Sequence, residues 1–154
     1  MQIETTRFGV IEIAEDSILS MPDGMLGLNG FRRYVLLEDR SNTPFKWLQS
    51  VENPAMAFIV INPVVVFPDY DIDLTDEQAD SLDLKDESEA IVLTTVTAAR
   101  EDGSVTTNLL GPIVINSRTL QARQIILQDD RYCTKHAIAE KPFVEQDSVA
   151  ARAA

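Results

Sequence analysis

The single cysteine and the single histidine of the chain lie three residues apart, as Cys133 and His136. Thiolate and imidazole are zinc ligands. A cysteine activated by a nearby histidine can also act as a catalytic nucleophile. A structural zinc site needs about four ligands and a catalytic site three, and the chain has no further cysteine or histidine to supply them. The spacing therefore predicts a surface turn, with no metal and no cofactor.

Three carboxylates alternate along the chain as Asp69, Asp71 and Asp73, a spacing that also occurs in calcium-binding loops. Such a loop needs glycine at its sixth position and a bidentate glutamate at its twelfth, where this chain has Leu74 and Asp80. Paired carboxylates for glycoside hydrolysis need one acid in an apolar pocket, and these acids lie among other charged residues. The pattern therefore argues against an enzyme.

The same three aspartates begin a strongly acidic stretch, residues 69–89, which we call the acidic ledge. It contains ten carboxylates and one base, Lys85, so it carries −9 of the chain's net charge of −12. Such a density of like charge cannot be buried and must lie on the surface. An extended chain would place the three aspartates on one side and Tyr70, Ile72 and Leu74 on the other. The ledge is thus expected to present acids to a partner.

Length and charge limit the kind of partner. The chain has 154 residues, enough for one domain with its own core, which we place at residues 1–139, followed by a flexible tail at residues 140–154. A pI near 4.3 argues against direct binding of nucleic acid or anionic lipid and favours a basic protein partner. The N-terminus has no apolar signal core, and no apolar run approaches the roughly 18–20 residues of a membrane span, so we expect a cytoplasmic protein outside the membrane. We also expect a monomer.

The elements that position the ledge are mostly short strands with turn residues between them. Alternating or continuous apolar runs predict short strands from the N-terminal segment to residue 127, including a central strand at residues 56–61 covered on both faces. Further strands are expected at residues 105–110 and 120–127, with a hairpin turn at Arg100, Glu101, Asp102 and Gly103. The pattern predicts a mainly β, small antiparallel barrel or sandwich with one or two short helices.

One helix is predicted inside the ledge, at residues 76–82. Thr75 is a suitable N-cap, and Gln78 at the third helical position completes a capping box. The helix has barely two turns, so it must dock through Ala79 and Leu82.

The expected burial of the large aromatic and amide side chains indicates whether each belongs to the core or contacts a partner. Phe45, Trp47, Phe58 and Phe67 are expected mainly in the core, whereas Tyr70, between two aspartates, suits a packed ring and a partner contact equally well. Asn108 and Asn116 are expected to be buried amides that bond loop backbone, with a peptide-binding role as the alternative.

With these residues in place, the chain resembles the flagellar assembly factor FliW family. The matching stretches run in order through most of residues 3–136: Phe8-Gly9-x-Ile11-Glu12, Pro22-x-Gly24-x-x-Gly27, Pro44-Phe45-x-Trp47-Leu48-Gln49-Ser50, Phe67-Pro68-Asp69-Tyr70, Thr107-Asn108-Leu109 and Gly111-Pro112-Ile113-Val114-Ile115-Asn116.

The resemblance implies a non-catalytic β domain that takes part in building the bacterial flagellum. Members of the family act as chaperones that bind flagellin in the cytoplasm. In the alternative, they bind the RNA-binding translational regulator CsrA and relieve its repression of flagellin translation. We expect CsrA at the acidic face, Asp69, Tyr70, Asp71 and Asp73. Flagellin is expected at an apolar groove formed by Phe45, Trp47, Thr107, Asn108 and Leu109.

Two other functions stay open on the sequence. The ledge could mimic RNA and occupy an RNA-binding surface directly, in which case RNA would displace it. A carbohydrate-active or metal-dependent enzyme on a β scaffold is the weaker alternative, and turnover or metal-dependent melting would reveal it.

Overall fold

The computed structural model describes residues 1–38, 43–99 and 103–138, and antiparallel strands dominate them. The strands are β1 (Gln2–Thr5), β2 (Gly9–Glu12), β3 (Leu19–Ser20), β4 (Arg33–Glu38), β5 (Phe45–Ser50), β6 (Ala57–Ile61), β7 (Ala90–Ala98), β8 (Val105–Thr107), β9 (Ile113–Asn116), β10 (Ala122–Gln124) and β11 (His136–Ala137). Helix α1 spans Asp76–Ser81, and 3₁₀ turns lie at Glu15–Ser17, Pro63–Val65 and Glu87–Glu89. The predicted mainly β class with short helices is confirmed.

The main sheet curls until its two ends meet. Its strand order is β10-β9-β7-β6-β5-β4-β3, and neighbouring strands are antiparallel. Ser20 of β3 then lies parallel to Gln121, and the Ser20 N–H donates to the Leu120 carbonyl at 2.9 Å. A salt bridge of 2.6 Å between Arg123 and Asp23 joins the two ends as well. The sheet is therefore closed into a small barrel.

The barrel interior is filled by apolar side chains from the strands around it and from the segment between β3 and β4. The buried set is Leu19, Met21, Met25, Tyr34, Leu48, Val60, Leu93, Ile113, Ile115 and Ala122. Strand β6 is covered on both faces, because Val60 belongs to this interior cluster while Ile59 and Ile61 pack in a separate one with Phe45 and Trp47. The prediction of a central strand buried on both sides is confirmed.

The outer face of the barrel is covered in sections. The β1–β2 hairpin packs Ile3 and Ile13 against Val35 of β4. The acidic ledge covers the outside of β9, where Val114 packs with Tyr70 and Leu82. This outer cluster fixes the position of the ledge.

Several predicted strands are shorter than expected, because side chains compete for the backbone. Strand β1 ends at Thr5, whose hydroxyl donates to the Gly9 carbonyl and accepts from the Phe8 N–H, both at 2.8 Å. Gly9 follows with φ +70°, a left-handed conformation that glycine adopts without steric cost. Strand β8 ends at Thr107, short of residue 110, because the Asn108 Oδ1 accepts the backbone N–H groups two and three residues ahead.

Strand β10 covers three residues of the predicted 120–127 stretch. Leu120, at the start of that stretch, has φ +63°, a left-handed conformation that a strand does not use. The predicted turn at Arg100, Glu101 and Asp102 and the predicted tail at residues 140–154 lie outside the described residues.

Candidate protein-binding site: the acidic ledge and its groove

The acidic ledge begins at a turn, where the Tyr70 N–H donates to the Phe67 carbonyl at 2.9 Å. From there exposed aspartates alternate with inward residues: Asp69, Asp71 and Asp73 are exposed, whereas Tyr70 is buried and Ile72 and Leu74 are half-buried. The predicted two-sided pattern is confirmed. The stretch is extended but lies outside the strands, so side chains of other segments must hold it.

Two tyrosines hold the start of the ledge. The Tyr70 hydroxyl donates to the Leu109 carbonyl at 2.7 Å, and its ring meets the Tyr132 ring edge-on at 4.7 Å. The Tyr132 hydroxyl accepts from the Asp71 N–H at 3.1 Å and donates to the Asp71 carbonyl at 3.2 Å. Burial, with smaller effects of Tyr132 and Asp129, raises the pKa of the Tyr70 hydroxyl. These contacts fix the backbone from which Asp69, Asp71 and Asp73 project.

Tyr70 is therefore a packed ring, the first of the two alternatives that the sequence left open. Its exposed fraction is 9%, because an aromatic ring with a satisfied hydroxyl gains more from packing against Leu82 and Val114 than from solvent. The Tyr70 side chain was also expected to contact the partner directly, but it is buried and not accessible for that role. It anchors the ledge to the barrel instead.

Helix α1 has the predicted N-terminus. The Thr75 hydroxyl accepts from the Gln78 N–H at 3.1 Å, and the Gln78 side chain accepts from the Thr75 N–H at 2.9 Å. The capping box is thus confirmed. Leu82, directly after the helix, is fully buried, as its predicted docking role requires, and Ala79 is half-buried.

The end of the ledge is held by Asn116 and Arg118. The buried Asn116 amide donates to the Leu82 carbonyl at 2.7 Å and to the Asp83 carbonyl at 3.2 Å, so the predicted role of this amide is confirmed. Arg118 pairs with Asp83 at 3.1 Å and with Glu89 at 2.6 Å. The hydrogen bond from Arg118 lowers the pKa of the Glu89 carboxyl, and the hydrogen bond from the Lys85 N–H adds a smaller effect in the same direction.

The charge of the ledge is left facing solvent. Nine of its ten acidic residues are exposed, and Glu89 is half-buried. Within residues 1–38, 43–99 and 103–138, both salt bridges of the ledge go to Arg118, and none is made by Asp69, Asp71 or Asp73. A row of solvated carboxylates on a fixed backbone attracts a basic surface and steers its approach.

A groove of about 620 Å³ lies along the ledge. It is bordered by two parts of the ledge and by the first residues of β7, and its lining is Asp71, Ile72, Asp73, Leu74, Ala79, Leu84, Lys85, Asp86, Glu87, Ala90 and Val92. We call it the ledge groove. It combines apolar side chains with an acidic border, which suits a protein ligand with both apolar and basic groups.

The residues expected to bind flagellin do not form an exposed groove, and this expectation needs correction. Phe45, Trp47, Thr107 and Leu109 are buried, and Asn108 is half-buried. Phe45 and Trp47 pack in one cluster and Leu109 in another.

Each buried member of that set already has partners inside the protein. The Arg7 guanidinium lies 4.8 Å from the centre of the Trp47 ring, and the Phe8 ring meets it edge-on at 5.6 Å. The Thr107 hydroxyl donates to the Thr95 carbonyl at 2.9 Å. Large apolar side chains on these strands gain more from interior packing than from a solvent-facing site.

Cys133 and His136 are not both in a surface turn, because His136 is half-buried and begins β11. The Cys133 N–H donates to His136 Nε2 at 2.8 Å, and the imidazole meets the Phe67 ring edge-on at 5.7 Å. The Cys133 side chain is exposed. In the part of the chain that the structure describes, no three His, Cys, Asp or Glu side chains are grouped to hold a metal ion.

Sequence reasoning missed Tyr132 and Arg118, which hold the ledge. Tyr132 bonds a backbone 61 residues away and Arg118 an acid 35 residues away, so no local spacing connects the partners. The residues next to Tyr132 and next to Arg118 in the sequence give no indication of these two contacts.

Comparison with known proteins identifies the family. The model of the FliW protein family matches residues 2–138. This chain belongs to the FliW family. Among the FliW relatives, the flagellar assembly factor FliW of Geobacter sulfurreducens is 44% identical over 146 residues, which cover 95% of this chain and 88% of that protein. The flagellar assembly factor FliW of Natranaerobius thermophilus is 40% identical over 139 residues, covering 90% and 92%.

The FliW fold is also present among solved structures. A crystal structure of the flagellar assembly factor FliW is 36% identical, covers 89% of this chain and 96% of its own, and gives a TM-score of 0.82. In the described residues of this FliW chain, no helix is long and apolar enough to cross a membrane. The family resemblance drawn from the sequence motifs is confirmed.

Proposed function

We propose that this FliW family member works in flagellar assembly as a non-catalytic, monomeric cytoplasmic protein that binds flagellin or CsrA. While flagellin is present it occupies the protein. When flagellin has been exported, the freed protein binds CsrA and relieves repression of flagellin translation. Such a switch depends on competition for one limited protein.

The row of exposed carboxylates on a fixed backbone is the observation that supports the proposed binding of CsrA. Asp69, Asp71 and Asp73 face solvent while Tyr70 and Tyr132 hold the chain between them. A protein that grips RNA must be basic where it does so, and it would be attracted to this surface. The ledge is therefore proposed as the CsrA-binding face, through its aspartates and not through the Tyr70 ring.

The flagellin contact is proposed without the four buried side chains. Of the five residues first expected there, Asn108 is half-buried and is the one with accessible surface. The proposal of flagellin binding rests on the family, and pull-downs with each partner, repeated with the other in excess, test it. Mutual displacement supports the switch, and simultaneous binding of both partners refutes it.

A charge-matched pair of variants tests the ledge. One variant carries Asp69→Asn, Asp71→Asn and Asp73→Asn; the control carries Glu4→Gln, Glu15→Gln and Asp16→Asn, three exposed acids near the N-terminus. Both lose three charges, so they differ in position alone. Exposed ion pairs contribute about 0.2–1 kcal/mol each, which predicts a roughly 3- to 150-fold weaker CsrA affinity for the first variant. Equal affinity and equal salt dependence of the two variants would remove the ledge from the proposal.

Adding RNA to the complex of this protein with CsrA distinguishes allosteric antagonism of CsrA from RNA mimicry. An RNA mimic occupies the RNA-binding surface, so an excess of RNA would displace this protein from CsrA. An antagonist that binds elsewhere would form a ternary complex with RNA and CsrA.

A further inference from the structure

The ledge groove has an apolar floor that is continuous with the outer core. Ile72, Leu74, Leu84, Ala90 and Val92 line it, and each is a half-buried side chain packed against the cluster around Leu82 and Val114. Ala79 of α1 completes the floor. Half-buried apolar side chains side by side offer surface that a partner could remove from water.

Both ledge segments that border this floor are acidic. Asp71 and Asp73 come from the extended segment, and Asp86 and Glu87 come from the segment before β7; all four are exposed. Lys85 is the one basic residue in the lining. The net negative border disfavours anionic ligands, including nucleic acid and anionic lipid, and favours a ligand with cationic side chains beside its apolar ones.

We infer that the ledge groove is the docking site for a cationic amphipathic helix of a protein partner. The floor is made of side chains, and a helix meets such a floor by inserting apolar side chains spaced three and four residues apart. A volume of about 620 Å³ accommodates several of them. Lysine or arginine on the two flanks of the helix would then reach the acidic borders. The inference deepens the proposed function, because it rests on the ledge being a protein-binding surface.

A filled groove tests this without changing any charge. Ala79→Phe places a ring over the floor, and Ala55→Phe adds the same ring at an exposed alanine in the β5–β6 turn. The probe is a dye-labelled helical peptide of leucine and lysine, roughly 18 residues or five turns long, with leucine along one face. Anisotropy titration measures its affinity for the wild type and for both variants. Ala90→Leu serves as a second filling variant in case Ala79→Phe does not fold.

The expected result is a roughly tenfold or greater loss of peptide affinity in the filled variant and no change in Ala55→Phe. A leucine and glutamate peptide of the same pattern should not bind, because the acidic borders repel it. Equal binding by the filled variant, by the glutamate peptide or by a scrambled leucine and lysine peptide would overturn the inference.

The outcome is separable from that of the proposed function. If CsrA affinity depends on the ledge aspartates and the leucine and lysine peptide does not bind, the groove inference alone fails. If the peptide binds as expected and CsrA affinity ignores the aspartates, the proposed function alone fails.

Discussion

Removing the Tyr70 hydroxyl tests how the ledge is attached to the barrel. In Tyr70→Phe the ring stays packed, but the Leu109 carbonyl loses the donor now 2.7 Å away. Both residues are buried, so water does not replace that donor easily. A buried acceptor left without its partner costs about 1–3 kcal/mol. For a domain of this size the expected fall in melting temperature is roughly 2–12 °C.

Tyr34→Phe is the matched control. Tyr34 is fully buried, and its hydroxyl donates to the Met56 sulfur at 3.6 Å. A thioether is a weak acceptor, so we expect this variant to lose less than about 1 kcal/mol. Urea unfolding followed by circular dichroism measures both variants. If Tyr70→Phe loses no more stability than Tyr34→Phe, the Tyr70 hydrogen bond does not hold the ledge and the reasoning is refuted.

Two further predictions concern a glycine and an ion pair. Gly24→Ala should destabilise the protein by more than about 3 kcal/mol, because the added Cβ would lie 2.5 Å from the Leu28 carbonyl oxygen and Gly24 has φ +64°. The control Gly9→Ala has φ +70° but open space around the added Cβ, so it should lose about 1–2 kcal/mol. Equal losses of stability in thermal melts of the two variants would contradict this prediction. Arg118 lowers the pKa of Glu89, so this carboxylate contributes stability above its unfolded pKa of about 4.3, and the contribution disappears as pH falls through the lower folded value. The stability difference between wild type and Glu89→Gln should therefore shrink in urea titrations between about pH 5 and pH 3, and a constant difference would refute the ion pair's role.

Features of the ledge that depend on neighbours in sequence could be predicted from sequence. The capping box needs Thr75 and Gln78 three residues apart, and local hydrogen bonds satisfy it wherever the helix lies. The outward aspartates follow from the two-residue repeat of an extended chain. The same reasoning located Asn116, because an amide within an apolar strand must find backbone partners.

The attachments of the ledge could not be predicted, because they join distant segments. The Tyr132 hydroxyl meets the Asp71 backbone, and the Tyr70 hydroxyl meets Leu109, only after the barrel has brought these segments together. The aromatic side chains show the same limit. Phe45 and Trp47 could be read as core or as contact surface, and the closure of the barrel decided for the core.

Amide hydrogen exchange of this protein, free and saturated with CsrA, is the most direct test of the ledge as a binding face. We predict that slowed exchange on binding is concentrated in peptides from residues 69–89, with the β1–β2 hairpin unchanged. Slowed exchange confined to the hairpin or to other surfaces of the barrel, with the ledge unaffected, would contradict the account.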